Sequence, residues 1–200
     1  MQTLAEMKQA MINTIRRYNG MGWSPATSTN YSFKDESGQI WVTRSGIDKA
    51  EITVDDFMTV DENGNATGEF VKVRPSAETG IHCTLYRLFP AINVVLHSHG
   101  VYPLLAAMKK ECVDFEGFEV QKGFDGVSTH EGKVSIPVFP NHQDMDFFDE
   151  ILLQNKSQLR HHCFIIQKHG TYAWGKNLFE ARRHLETLDY LSRMVWEENR

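Results

Sequence analysis

The sequence predicts one α/β domain that spans residues 1–200, and three observations support this prediction. Segments with the periodicity of amphipathic helices alternate with short apolar runs that are typical of strands. The chain contains no internal repeat and no change in composition that would mark a linker between two units. Its 200 residues, 41% of them hydrophobic, suit one ordinary soluble domain with a substantial core.

A helix, a hairpin and a further strand are predicted for the first part of the chain. Apolar residues recur at helical spacing over 4–18, which predicts an amphipathic helix. Segments 31–34 and 39–43 flank a short polar turn, and this is the pattern of a β-hairpin. A further extended segment, 57–60, is followed by a glycine-containing turn that directs the chain back toward 70–73.

The middle of the chain is predicted to alternate between helix and strand. Ser76 is a suitable N-cap for a helix that stops near Pro90. The apolar run 92–96 predicts a buried strand, since it is short and bounded by glycine and proline. A helix over 103–110 follows it.

The last part of the chain repeats this alternation. Short strands are predicted near Phe118 and at 136–139, and a helix at 147–157. A strand at 163–167 comes next, and a long terminal helix begins at about Phe179. The interleaved order favours an α/β fold over separate helical and strand domains.

Composition and charge exclude several classes of protein. A net charge of −5 and a pI near 6.0 give no basic surface, so no nucleic-acid partner is expected. No run approaches the roughly 18 apolar residues of a membrane span, and segment 1–17 is too charged for a secretory signal. Cys83, Cys112 and Cys163 are widely spaced and odd in number, so we expect core thiols and a cytoplasmic location.

Three histidines form the most informative pattern in the chain. His97 and His99 close one apolar run, and His169 follows another much later in the sequence. Residues two apart in a strand point to the same face, so His97 and His99 would project together. With His169 they could form three corners of a tetrahedral zinc site whose fourth corner stays open, as in catalytic zinc sites. The alternative at this point is that the histidines are unrelated.

Three polar stretches are candidates for holding an anion. The loop 23–30 is dense in hydroxyl and amide donors. Segment 43–46 is a similar polar stretch at the end of a strand, and segment 74–76 precedes a predicted helix. The first backbone amides of a helix are a ready anion site. Each stretch alone could be an ordinary turn, because serine and threonine favour turns. Beside a metal site, however, they favour a phosphorylated substrate.

Glu119 and Glu78 are the candidate acid–base residues. Glu119 lies in an apolar-flanked segment bounded by glycines, and Glu78 lies in the first turn of the helix predicted to begin at Ser76. A carboxyl group shielded from water beside a metal can exchange protons near neutral pH. Either residue could instead be an ordinary surface glutamate.

The remaining histidines lack comparable placement. His82 could share a helix face with Glu78 and is interpreted as a packed helix histidine. His161 and His162 precede a strand and are expected to be solvated, while His184 is assigned to a polar face of the last helix.

Several motifs together resemble the class II aldolase/adducin-type superfamily. The superfamily resemblance is carried by His97-Ser98-His99, the later Lys168-His169-Gly170-Thr171-Tyr172-Ala173-Trp174-Gly175, and Pro75-Ser76-Ala77-Glu78-Thr79. Three further segments are similar to its methylthioribulose-1-phosphate dehydratase family, namely 119–123, 139–144 and 180–186. The resemblance covers residues from about Gly22 to Leu191.

The resemblance implies a fold, an assembly and a set of site residues. It implies a three-layer α/β/α domain with a largely antiparallel sheet, assembled as a homotetramer with the active site at a subunit boundary. It implies one zinc ion per subunit on His97, His99 and His169, with Glu119 as the catalytic acid–base. Glu78 would be a resting-state ligand, a second acid–base group or a bystander. The residues implied to bind the substrate phosphate are Thr27, Ser28, Asn30, Ser45, Gly46, Ser76 and Lys122.

The activity implied is zinc-dependent dehydration of 5-methylthioribulose 1-phosphate to a 2,3-diketone phosphate in methionine salvage. The nearest alternative is an aldolase or epimerase that acts on another sugar phosphate through the same type of enediolate. A non-catalytic adducin-like interaction module is the alternative from another class. One departure concerns the first polar loop, where the family commonly has Gly and this chain has Thr29.

Overall fold

Eight strands form one sheet in this computed structural model, which describes residues 2–198. The predicted domain covered 1–200, and positions 1, 199 and 200 lie outside the described residues. The strands are β1 (Tyr31–Lys34), β2 (Ile40–Thr43), β3 (Phe57–Val60), β4 (Val94–Ser98), β5 (Cys112–Phe115), β6 (Val134–Phe139), β7 (Cys163–Ile166) and β8 (Gly170–Gly175). The helices are α1 (Leu4–Gly20), α2 (Thr79–Leu88), α3 (Val101–Ala106), α4 (Met145–Gln154) and α5 (Leu178–Glu198).

The strand order is β3-β2-β1-β4-β8-β7-β6-β5. Every pair of neighbours is antiparallel except β6 and β7, which are parallel. The largely antiparallel α/β fold expected from the resemblance is therefore confirmed. β4 and β8 lie side by side at the centre, so the ends of these two strands bring His97 next to the turn that carries His169.

Helices cover both faces of the sheet and make three layers. Along β7, Cys163 and Ile165 belong to a core shared with α1, α3 and α5. Phe164 and Ile166 belong to a second core shared with α2 and α4. This alternation is the period-2 pattern of a strand buried on both faces.

The first helix and the first hairpin agree with the prediction. Thr3 caps α1 in a reciprocal arrangement with Glu6, and the helix ends at Gly20, after which Gly22 adopts a positive φ. Asp35 accepts hydrogen bonds from the amides of Ser37 and Gln39, which closes the tight turn between β1 and β2.

Several of the predicted elements differ from the structure. The residues around Phe118 form no strand; they lead into a 3-10 helix at Glu119–Gly123, and the preceding strand is β5. The helix predicted over 103–110 is the shorter α3, and the one predicted over 147–157 is α4, followed by a 3-10 helix at Lys156–His161. Strand β8 was not predicted.

The start of α2 also differs from the prediction. Ser76 does not cap the helix; its carbonyl oxygen accepts from the Thr79 amide in a preceding turn, and Glu78 occupies the N-cap position without a capping side-chain bond. The Glu78 carboxylate is therefore available to contact other residues. Among the described residues, no helix has both the length and the apolar character needed to cross a membrane.

Candidate metal centre and anion cavity

The three predicted histidines meet at one point. His97 is the second-last residue of β4, His99 follows that strand, and His169 lies in the turn between β7 and β8. One ring nitrogen from each lies within 4.8 Å of the other two, and the Nε2 atoms of His97 and His99 are 2.9 Å apart. Residues from distant parts of the sequence therefore form one cluster.

Contacts behind the rings leave lone pairs for a metal. His97 Nδ1 lies 3.0 Å from the Thr171 carbonyl oxygen and donates to it, so Nε2 carries the lone pair. Asn141 Oδ1 lies 3.3 Å from His169 Nδ1 and can hold that ring in the same tautomer. Burial lowers the pKa of His97 well below its ordinary value and that of His99 to about 4. A cluster of three imidazoles fits a divalent transition metal such as Zn²⁺.

Glu78 extends the cluster. Its Oε1 lies 2.7 Å from His169 Nε2, and its Oε2 lies 3.5 Å from His97 Nε2. Burial by itself would raise the pKa of Glu78, but the contact with His169 and the proximity of the other two histidine rings lower that pKa to about 2. Glu78 is therefore a carboxylate in direct contact with the histidines and not a surface residue.

The close approach of β8 to β4 depends on Gly170. A Cβ atom at this position would lie 2.5 Å from the Ser98 carbonyl oxygen. It would also lie 2.6 Å from His97 Cε1 and 2.7 Å from His99 Cδ2. A side chain is therefore excluded here, and this explains the glycine after His169.

A cavity of about 200 Å³ opens beside the histidines. His99 and Glu78 line one end of it. The rest of the lining comes from Ala77 and from the three predicted polar stretches, which contribute Thr27, Ser28, Thr29, Asn30, Arg44, Ser45, Gly46 and Ser76. Six of the seven residues predicted to bind phosphate therefore lie around one cavity. Arg44 adds a positive charge to it and was not among the predicted residues.

The first polar loop is tied to the histidine strand at both ends. The His97 amide donates to the Asn30 carbonyl oxygen, and the His99 amide donates to the carbonyl oxygen of Trp23. Ser28 Oγ and Asn30 Nδ2 are buried without a hydrogen-bond partner. Because buried polar atoms are normally paired, unpaired donors beside a cavity are what an anion would satisfy.

Backbone strain is concentrated in the same loop. Ala26, Thr27 and Thr29 all have positive φ angles, and that of Thr29 is 72°. This left-handed region favours glycine and is unusual for a β-branched side chain. A hydrogen bond from Thr29 Oγ1 to Ser24 Oγ, 3.0 Å long, supports the threonine there. The loop therefore keeps a left-handed residue at the position where the family commonly has glycine.

Glu119 and Lys122 do not line this cavity. Glu119 begins the 3-10 helix, its side chain is 68% exposed, and it forms ion pairs with Lys122 and with His130. Both residues therefore lie at the surface of the single chain.

A second group of possible ligands consists of Asp125, His162 and His184. His184 is fully buried and donates from Nδ1 to the Trp174 carbonyl oxygen at 2.7 Å, so its assignment to a polar helix face was wrong. The His162 side chain is 15% exposed, and that of His161 is also buried, so neither is solvated. The Arg183 guanidinium lies 3.5 Å from His184 Nε2, and this positive charge disfavours a cation there.

Comparison with known proteins places this geometry in a family. The sequence model of a protein family, the class II aldolase and adducin N-terminal domain, matches residues 9–196. The chain belongs to this family. The expectation drawn from the motifs is confirmed.

Relatives of known name cover nearly the whole chain. A protein of Picosynechococcus sp. named methylthioribulose-1-phosphate dehydratase is 44% identical over 187 residues, which are 92% of this chain and 88% of that protein. A protein of the same name from Stenotrophomonas maltophilia is 40% identical and covers 94% of this chain and 89% of its own length.

Solved structures of the family share the fold. A structure named L-fuculose 1-phosphate aldolase has a TM-score of 0.77 at 21% identity, covering 99% of this chain and 88% of its own. The L-fuculose-1-phosphate aldolase of Thermus thermophilus has a TM-score of 0.73 at 19% identity, covering 96% and 95%. These class II aldolases carry the same architecture.

Proposed function

We propose that the protein is a zinc-dependent methylthioribulose-1-phosphate dehydratase. The reaction removes water from 5-methylthioribulose 1-phosphate and gives the 2,3-diketo-5-methylthiopentyl 1-phosphate of methionine salvage. The observation that carries the proposal is a three-histidine cluster that opens onto a cavity lined by polar loops, in a chain 40–44% identical to dehydratases of this name.

His97, His99 and His169 are the proposed ligands of one Zn²⁺ per subunit. When bound, the metal supplies a Lewis acid beside the substrate carbonyl, which favours loss of the proton on the neighbouring carbon. The phosphate is assigned to the cavity formed by Thr27, Ser28, Asn30, Ser45, Gly46 and Ser76, with Arg44 as an added cation. This assignment places the phosphate among the polar loops and the adjacent carbonyl beside the histidines.

Loss of water needs two proton transfers, and the enol that results then tautomerises to the diketone. A base takes the proton from the carbon next to the carbonyl, and an acid protonates the hydroxyl that leaves the following carbon as water. We assign these transfers to Glu119, with Glu78 as the second carboxylate. Contact with His169 and His97 supports the role of Glu78, while family resemblance supports that of Glu119.

Glu119 is proposed to act on the site of a neighbouring subunit. Its exposed carboxylate contacts Lys122 and His130 and none of His97, His99 and His169 of its own chain, and the family resemblance implies an active site at a subunit boundary. In the proposed homotetramer, Glu119 and its ion-pair partner Lys122 would complete the neighbour's cavity.

Glu119→Gln is expected to keep its zinc and to lose activity by about 10² to 10⁴-fold, the usual contribution of a positioned acid–base group. Lys122→Met removes the ion-pair partner and leaves the carboxylate, so it should retain more activity than Glu119→Gln. Mixing Glu119→Gln subunits with His97→Ala subunits should restore part of the activity, since some sites then receive both native residues. No recovery in verified mixed tetramers would contradict a shared site.

A substrate comparison tests the proposed reaction itself. Purified protein is given methylthioribulose 1-phosphate or fuculose 1-phosphate, and the products are identified. Diketone from the first substrate supports the dehydratase. An aldehyde together with dihydroxyacetone phosphate from the second substrate would support the aldolase alternative instead.

We place the enzyme in the cytoplasm. Cys83 and Cys163 are buried free thiols, and Cys112 is also free and partly exposed. Unpaired cysteines are typical of reducing compartments, which supports this assignment.

A further inference from the structure

A chain of buried polar side chains leads from the anion cavity into the layer between the sheet and α2. His82 Nε2 lies 2.8 Å from Asn30 Oδ1, and His82 Nδ1 lies 2.7 Å from Ser32 Oγ. Ser32 Oγ lies 2.9 Å from the Tyr86 hydroxyl. All four side chains are at most 4% exposed, so each depends on its neighbours for hydrogen bonds.

Burial makes His82 a neutral ring. It lowers the pKa of His82 to about 3, which leaves one nitrogen as donor and the other as acceptor. The chain of hydrogen bonds can then run in only two directions. Either His82 Nε2 donates to the oxygen of Asn30, or the Asn30 amide is turned round and donates to His82.

The far end of the chain selects the direction. The Tyr86 hydroxyl needs an acceptor for its proton, and Ser32 Oγ, 2.9 Å away, is its side-chain partner among the described residues. Tyr86 then donates to Ser32, Ser32 donates to His82 Nδ1, and His82 Nε2 donates to Asn30 Oδ1. In the opposite direction, Ser32 would donate to Tyr86, and the Tyr86 proton would then lack a side-chain acceptor among the described residues.

We propose that His82 is a positioning residue that holds the Asn30 amide with Nδ2 toward the anion cavity. Asn30 lines that cavity, and its Nδ2 is buried and unpaired. If the amide were turned, its oxygen would face the anion and repel it. The inference rests on the proposed function in treating this cavity as the binding site of the substrate phosphate.

Paired variants separate the hydrogen bond from the volume of the ring. His82→Gln keeps a side-chain donor for Asn30, while His82→Met has a similar length and no donor. Tyr86→Phe tests the far end: it leaves Ser32 able either to donate to His82 or to accept from it, so only part of the Asn30 amides should turn round. The probe is inorganic phosphate, whose binding to the metal-loaded protein is measured by calorimetry.

We expect His82→Met to weaken phosphate binding by about tenfold, since a hydrogen bond to a charged group is lost or misdirected. His82→Gln and Tyr86→Phe should stay within about threefold of the native protein. With the sugar phosphate, His82→Met should raise KM by a similar factor and change kcat much less. Equal phosphate affinity in the Met and Gln variants would overturn the inference.

Nitrogen NMR of protein labelled at histidine gives a second readout that does not need a variant to fold. The inference requires the proton of His82 to be on Nε2 at neutral pH, and a proton on Nδ1 would overturn it. The Asn30 side-chain amide signal should shift when phosphate is added. Because these measurements use phosphate alone, absence of dehydratase activity would contradict the proposed function without deciding the role of His82.

Discussion

At the scale of single residues, Gly170 decides whether the histidine cluster can form. Its α-carbon faces the Ser98 carbonyl oxygen and the rings of His97 and His99, and a methyl group would lie within 2.7 Å of all three. We expect Gly170→Ala to push these rings apart and to lose bound zinc, with activity reduced by about 10²-fold, since misplacement of about 1 Å has that effect. Elemental analysis of the purified variant measures the zinc.

Gly20→Ala is the matched control for this substitution. A Cβ atom at Gly20 meets nothing within 4 Å, so zinc content and activity should not change. If Gly170→Ala retained one zinc per subunit and full turnover, the close packing of β8 against the histidines would not matter for the site.

At the scale of elements, the 3-10 helix Glu119–Gly123 packs against α5 through a glycine. A Cβ atom at Gly123 would overlap the hydroxyl of Thr187, which is buried on α5. We expect Gly123→Ala to lower the free energy of unfolding by about 1 to 3 kcal/mol, the usual range for overpacking. Urea denaturation measures the change.

Thr187→Ala provides the partner for a double-mutant cycle. It removes the overlapping hydroxyl and methyl, so the double variant should be destabilised by less than the sum of the single changes. Strict additivity would show that the two elements do not press against each other at this point.

The same scale shows which elements sequence patterns can predict. Helix α1 and the first hairpin are set by local signals, namely apolar spacing, a capping threonine and an aspartate-closed turn. Strand β8 is buried at every position; it pairs with the preceding strand β7 and, on its other edge, with β4, which lies far away in sequence. Its pattern has no alternation, so only the assembled sheet defines it. Phe118 was wrongly assigned to a strand, because a single aromatic residue can pack on the core from a loop as well as from a strand.

The site divides in the same way. The grouping of the three histidines and of the polar loops was predictable from residue type. Imidazoles are typical metal ligands, and turns rich in hydroxyl and amide groups are typical anion sites. Arg44 was not selected, because an arginine at a strand end has many roles, and only the folded chain places it by the cavity. The exposed positions of Glu119 and Lys122 were not predictable either, since their proposed partners belong to another subunit.

At the scale of the whole molecule, Asp189 links stability to pH. Burial raises the pKa of Asp189 to about 6, against the opposing charge of Arg193, and its Oδ1 has no hydrogen-bond partner. The unfolded chain releases this proton at about pH 3.9. The folded state therefore binds more protons between about pH 4 and 6, and its stability falls as the pH rises through that window.

Asp189→Asn removes this penalty, because the amide stays uncharged. We expect the variant to be more stable than the native protein by about 1 kcal/mol or more at pH 7, since one pKa unit corresponds to about 1.4 kcal/mol. The advantage should disappear below about pH 4, where the native carboxyl is protonated in both states. Denaturation curves across pH 4 to 7 measure it, and a difference independent of pH would contradict the assignment.

The central claim is that one metal ion on His97, His99 and His169 is required for dehydration of the thiosugar phosphate. The direct measurement is turnover of methylthioribulose 1-phosphate by native protein, by chelator-stripped protein and by stripped protein given zinc. The account predicts loss of turnover on stripping and full recovery at one zinc per subunit, with neither binding nor recovery in His97→Ala. Undiminished turnover by protein shown to be free of metal would contradict it.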